Sequence, residues 1–256
     1  MPDAQQHPTT NFTNANKTTR IGIIVGNGLA MDLCRHLPEA LGTWNTQQPL
    51  RWTLPTPGCP DVPWLEALPH LRPKVEALRT SNPALTDFQV IEQILNAQAD
   101  DQFETEIECR HFLTIAFSAY SQHLLTLDLA GWRWTQWMRR HRGEVLATGS
   151  FNYDLLFEFM CYRAGKIVST FKPHGSVNYS FGSRLNQFSG SPPGYPLRLY
   201  AHLNICPVIY LPPAELFCPR GEALCVLPNE RNCYAQLPWV WPGFEEFRRR
   251  GSELTH

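Results

Sequence analysis

No two cysteines in this 256-residue chain stand at Cys-x-x-Cys spacing, although eight are present, at positions 34, 59, 109, 161, 206, 218, 225 and 233. Paired short spacings are what gather thiolates onto a structural zinc, so no metal is expected. Reduced, mostly buried thiols are the simpler reading. Charge of one sign is lacking too, with 22 Lys and Arg against 23 Asp and Glu. Basic residues cluster only at Arg139, Arg140 and Arg142 and at Arg248 to Arg250. With no basic face, direct binding of nucleic acid is not expected. No apolar run approaches the roughly 18 residues of a membrane span, and the first residues lack the basic-then-apolar order of a secretion signal. A cytoplasmic protein with no membrane contact is the expectation.

What is present is enough apolar sequence for one substantial core. Residues 1–20 are polar and aperiodic and read as a flexible leader, with a single domain over 21–256. The run Ile21-Gly22-Ile23-Ile24-Val25 is short, β-branched and apolar, as a strand buried in a parallel sheet requires. From Pro49 to Pro73 there are seven prolines in 25 residues. That density predicts little regular structure, hence a loop or lid. Between 86 and 140 the apolar residues recur at three and four (Phe88, Ile91, Ile94, Leu95; Phe112, Leu113, Ala116, Phe117, Tyr120, Leu124), which predicts two or three packed helices as an insertion. Trp132, Trp134 and Trp137 follow, chiefly as core, with a Trp-rich surface for self-association as the further possibility. Strands are then expected at 144–148, 167–171 and 207–211, with a helix at 152–163. Strand and helix in alternation predict an α/β fold, a Rossmann-like, mostly parallel sheet carrying the helical insertion.

Three places could carry chemistry. Gly26-Asn27-Gly28 ends the first strand and runs through Asp32 into a helix, a turn that lets backbone amides approach a phosphate. The sixth position is Met31, so the six-residue dinucleotide fingerprint is incomplete, and a plain tight turn explains the glycines as well. Asn152-Tyr153-Asp154 lies where a later strand gives way to a helix. An Asn there can hold a hydroxyl or a water through its amide, and Asp154 can accept from an amide N–H; one of the two capping the helix is the alternative. His174-Gly175-Ser176 follows the next strand, where a histidine can act as a general base near neutrality.

In that order, Gly26-Asn27-Gly28, Ser150-Phe151-Asn152-Tyr153-Asp154 and Lys172-Pro173-His174-Gly175-Ser176 resemble the glycine turn, the Asn-bearing loop and the catalytic His-Gly of the sirtuin superfamily. Between 21 and 213 the chain is most similar to the bacterial sirtuin-like proteins of antiphage defence. That resemblance implies NAD as substrate and no bound cofactor, with cleavage of the nicotinamide–ribose bond and depletion of NAD in infected cells. It places Gly26, Asn27, Gly28, Asp32, Gly175 and Ser176 around the nucleotide, Asn152 on the ribose or the water, Asp154 on the carboxamide, and His174 as base. It also implies a homo-oligomer or a defence-system partner protein as the activating context. Classical sirtuins carry a four-cysteine zinc module after the His-Gly; its absence here turns the expectation from deacylation to NAD hydrolysis. Related chains close over the adenosine ribose with a strand-end Gly-x-Ser turn, whereas Gly251-Ser252 here follows Arg248, Arg249 and Arg250. Residues 223–227 or a partner could replace that wall, or the chain could be a silent nucleotide-binding module.

Overall fold

The computed structural model describes residues 20–54, 62–97, 99–181, 208–210, 225, 227–228 and 240–252. At its centre β1 (Ile21–Val25) runs parallel to β4 (Val145–Ser150), in register from Gly22 opposite Ala147 to Val25 opposite Ser150. The strand expected at 167–171 is reduced to a single parallel bridge from Phe171 to Gly149. Phe171 donates its N–H to the Thr148 carbonyl and accepts from Ser150. The physical reason lies in Ile167, which is 90% exposed: without cover on both faces the run has no drive to lengthen the sheet. Residues 207–211 were expected in the parallel sheet. Instead β6 (Val208–Tyr210) pairs antiparallel with β5 (Tyr179–Phe181). Among the described residues, therefore, the chain is a helix-rich α/β protein with a small parallel sheet.

Immediately after Gly26, α1 (Asn27–His36) begins and buries Leu29, Ala30 and Leu33; α2 (Pro38–Leu41) follows with proline at its start, where no N–H is required. The proline-rich stretch is more ordered than its composition predicts. It forms a 3-10 turn at Pro49–Arg51, a two-residue hairpin of β2 (Thr53–Leu54) with β3 (Val62–Pro63), and a second 3-10 turn at Trp64–Ala67. It also starts α3 (Leu71–Ser81). Pro73 falls in the first turn of α3, whose amides have no intrahelical acceptor, and the Glu108 carboxylate accepts from the His70 and Leu71 amides there. Leu50, Trp52, Leu68 and Leu71 are buried, so the described part of this stretch is core.

The helical insertion is present as α4 (Asp87–Asn96), α5 (Gln102–Thr126) and α6 (Arg133–His141). Thr86 and Gln89 form a reciprocal capping box that starts α4. Phe112, Leu113, Ala116, Phe117, Tyr120 and Leu124 of α5 are buried on the spacing the sequence predicts. Trp132 is buried, whereas Trp134 stays partly exposed. After β4, α7 (Leu156–Arg163) packs beside α6, and α8 (Val240–Ser252) lies on β4, with Phe247 against Phe171 at 5.9 Å between ring centres. No described helix is long and apolar enough to cross a membrane.

Candidate functional site

Because β1 and β4 are parallel neighbours, the loops that leave their carboxyl ends lie side by side. The Phe151 amide donates to the Val25 carbonyl at 3.0 Å. Next to it the Asn152 side-chain amide donates to the Gly26 carbonyl at 3.4 Å, tying the Asn loop to the glycine turn. Asp154 accepts the Leu156 amide on Oδ1 at 2.9 Å. This is a local turn ahead of the helix, which starts at Leu156 and not at 152 as the sequence suggested, with Leu155 in the capping position and no side-chain cap.

The third loop is fastened to the second. Gly175 has φ 77°, a conformation that side chains rarely adopt, and its N–H closes a turn onto the Lys172 carbonyl at 3.0 Å. The Ser176 hydroxyl and the Val177 amide both donate to the Tyr153 carbonyl, at 3.3 and 3.1 Å. His174 is thereby held 5.2 Å from the Phe151 ring and 6.4 Å from the Tyr153 ring, centre to centre.

These loops surround a cavity of about 220 Å³. Asn27, Asn152, Asp154 and His174 line it together, facing the rings of Phe88, Phe117, Phe151 and Tyr153. Thr46, Leu227 and Pro228 complete the wall. No described residue between 49 and 73 lines the cavity, so the lid expected there does not cover it among the described residues.

The other expected residues take different places. Gly26, Gly28 and Asp32 line a second, larger groove of about 660 Å³ along β1, with Arg133 and Trp134. Asp32 is occupied: it accepts from the indole N–H groups of Trp132 at 3.0 Å and Trp134 at 3.1 Å and pairs with Arg133. Burial pushes its carboxyl up, but the Arg133 and Trp132 donors outweigh burial and hold it below its usual range. Asp32 therefore joins α1 to α6 and does not face the smaller cavity. Gly175 and Ser176 are buried beneath the rim and shape the turn that presents His174.

Beneath the cavity lies a buried charge cluster. Asp154 is only 3% exposed, and burial pushes its carboxyl up to about 6 against the opposing pull of the Lys172 ammonium. Lys172, 2% exposed, donates to the Asp154 carbonyl and pairs with Glu158 at 3.4 Å. Lys172 belongs to the His-Gly motif, yet nothing in the sequence shows that it is buried. Thr46 carries no signal either, being one polar residue in a polar turn. Among the described residues there is no group of three or more His, Cys, Asp or Glu side chains that could hold a metal ion. What the cavity offers instead is an amide, a carboxylate and an imidazole converging on one small aromatic-walled space.

Comparison with family models, with curated proteins and with solved structures finds no match for this chain.

Proposed function

We propose that the chain is an NAD+ glycohydrolase that cleaves the nicotinamide–ribose bond and depletes NAD in antiphage defence. The observation that carries this reading is the meeting of Asn152, Asp154 and His174 in one cavity beside the glycine turn. In the reaction the bond from ribose C1′ to the pyridinium nitrogen breaks, and its electron pair neutralises the departing nicotinamide. The sugar becomes oxocarbenium-like, and a water adds to C1′. Asn152 orients that water or a ribose hydroxyl, and His174 takes up the proton released as the new C–O bond forms. Asp154 accepts from the carboxamide of the leaving group. The fixed dipoles of the rim stabilise the developing charge. In the Rossmann-like arrangement that this reading requires, Gly26 and Gly28 carry the diphosphate. Assembly with further copies, or with a defence partner, then brings the site to its working form.

A silent NAD- or ADP-ribose-binding module is favoured by two observations. Among the described residues, Gly251 and Ser252 lie within α8 and not at a strand-end turn, and Asp32 beside the glycine turn is already occupied by Trp132, Arg133 and Trp134. The test is to follow nicotinamide release from NAD by the full chain beside Asn152→Ala and His174→Ala. Release that disappears in both variants supports the hydrolase. Tight binding of NAD without release by the unaltered chain supports the module.

A further inference from the structure

We propose that the open edge of β1 is a self-association surface, on which a second copy of this chain adds its own β1 antiparallel, about a two-fold axis at Ile23. The inference goes beyond the NAD reading and does not rest on it.

Among the described residues β4 is the strand that pairs with β1, and the Phe171 bridge lies on the far side of β4. The Ile21 amide donates to the Glu144 carbonyl, and the Val25 carbonyl accepts from the Phe151 amide. Ile21, Ile23 and Val25 therefore turn their backbone groups toward β4. Successive residues of a strand alternate, so the N–H and C=O of Gly22 and Ile24 point the other way, along the edge. Both residues are exposed, Ile24 to 61%. Such an edge is a template for a further strand, and proteins that keep it single place charge or proline on it. The five residues of β1, Ile-Gly-Ile-Ile-Val, include neither.

The edge is complementary to itself. Antiparallel pairing about Ile23 sets Gly22 against the partner's Ile24 and Ile24 against the partner's Gly22. Each of these pairs exchanges both of its N–H···O bonds, as directly opposed residues of an antiparallel ladder do. Moving the axis to Gly22 or to Ile24 would leave one of the two outward residues without its mate. The side chains fit by the same symmetry, because a branched Ile24 meets a glycine with no side chain to obstruct it, on both halves. Gly22 and Ile24 line the larger groove with Trp134 and Trp137 of α6, and Trp134 is 37% exposed. Pairing therefore takes apolar surface out of water on both copies. Arg20, the charge just before β1, falls opposite the partner's Gly26, so no like charges meet in the ladder. A foreign strand could satisfy the backbone groups, but the reciprocal match of glycine with isoleucine is one that the chain itself supplies.

The experiment is light scattering of the full chain on a sizing column over about a hundredfold range of concentration, in the unaltered protein, Ile24→Lys and Ile24→Val. Thermal unfolding at the lowest concentration and nicotinamide release from NAD are followed beside it. Expected are a monomer–dimer equilibrium in the unaltered chain, a dissociation constant raised at least about tenfold by Ile24→Lys, and a change of less than about threefold in Ile24→Val. Both variants should melt with the unaltered chain at low concentration, because Ile24 is exposed in the single copy. Ile23→Cys reads the register. Opposed residues of a non-hydrogen-bonded antiparallel pair stand about 4.5 Å apart at Cα, within disulfide reach. Mild oxidation should link Ile23→Cys into dimers above the background of the natural cysteines, and should not link Ile21→Cys. A monomer at every concentration overturns the proposal, as does a dimer untouched by Ile24→Lys or one that Ile23→Cys fails to link. Loss of folding or a lower melting temperature in Ile24→Lys also overturns it, since the edge would then be covered by its own chain. The NAD reading fails separately. A dimer that releases no nicotinamide removes the hydrolase and leaves the surface, whereas release by a chain that stays monomeric does the reverse.

Discussion

The glycine turn at Gly26–Gly28 divides two concave regions whose polar groups are held in different ways. On the side of the larger groove, Asp32 is satisfied by two indoles and a guanidinium from the segment that opens α6. On the side of the smaller cavity, Asn27, Asn152, Asp154 and His174 converge from separate loops onto a shared space. A charged residue just after a Gly-x-Gly turn is therefore not by itself a ligand-binding residue. Asp32 meets three side-chain donors at once, whereas Asn152 and Asp154 each make a single bond to backbone and still line the cavity.

If the smaller cavity is the working one, the largest effect belongs to His174. His174→Ala should lower the rate of nicotinamide release by about 10²- to 10⁴-fold with little change in melting temperature, the usual loss on removing a general base. A rate within threefold of the unaltered chain would place the chemistry elsewhere. Next comes Lys172, whose loss leaves Glu158 and Asp154 without their cation. Lys172→Met should lower stability by about 3 kcal/mol in denaturant unfolding, while a neutral outcome would remove the buried cluster as a support of the rim.

Asp154 gives an effect of similar or smaller size, with a sign that can be checked. Its carboxyl is raised from 3.8 to about 6, so the folded chain keeps a proton that the unfolded chain releases between about pH 4 and pH 6. Its contribution to stability is full below pH 4 and is lost as pH rises through 6, by roughly 3 kcal/mol at about 1.4 kcal/mol per pH unit. Asp154→Asn removes that slope. Its stability relative to the unaltered chain should climb from pH 4 to pH 7, and a constant difference would show the carboxyl is not raised. The smallest effect is expected across the turn. Arg133 is 71% exposed at its side chain, and Arg133→Ala should cost less than about 1 kcal/mol and leave nicotinamide release unchanged. Loss of release in that variant would extend the site from the glycine turn to Arg133 and undo the contrast.

How much of this could be read from the sequence differs by residue. β1, the glycine turn, β4 and the helices of 86–140 follow from apolar spacing, because those segments bury the faces that their periods create. The convergence of Asn152 with His174 was legible as order along the chain, each following an expected strand. The 167–171 strand was not, because the sequence does not reveal that Ile167 has no cover. Proline counting hid α3, since Pro73 occupies a turn in which its missing N–H does no harm. The partners of Asp32 were not legible, because they stand a hundred residues away, at Trp132, Arg133 and Trp134.

The parallel pairing of β1 with β4 also sets an order of events. Ile21 meets Val145 only across the whole helical insertion, and contacts so distant along a chain form late and slowly. α4 and α5 can assemble from local contacts while β1 still waits for its neighbour. The rim that gathers Asn27, Asn152 and His174 therefore takes its shape only when this distant pairing closes.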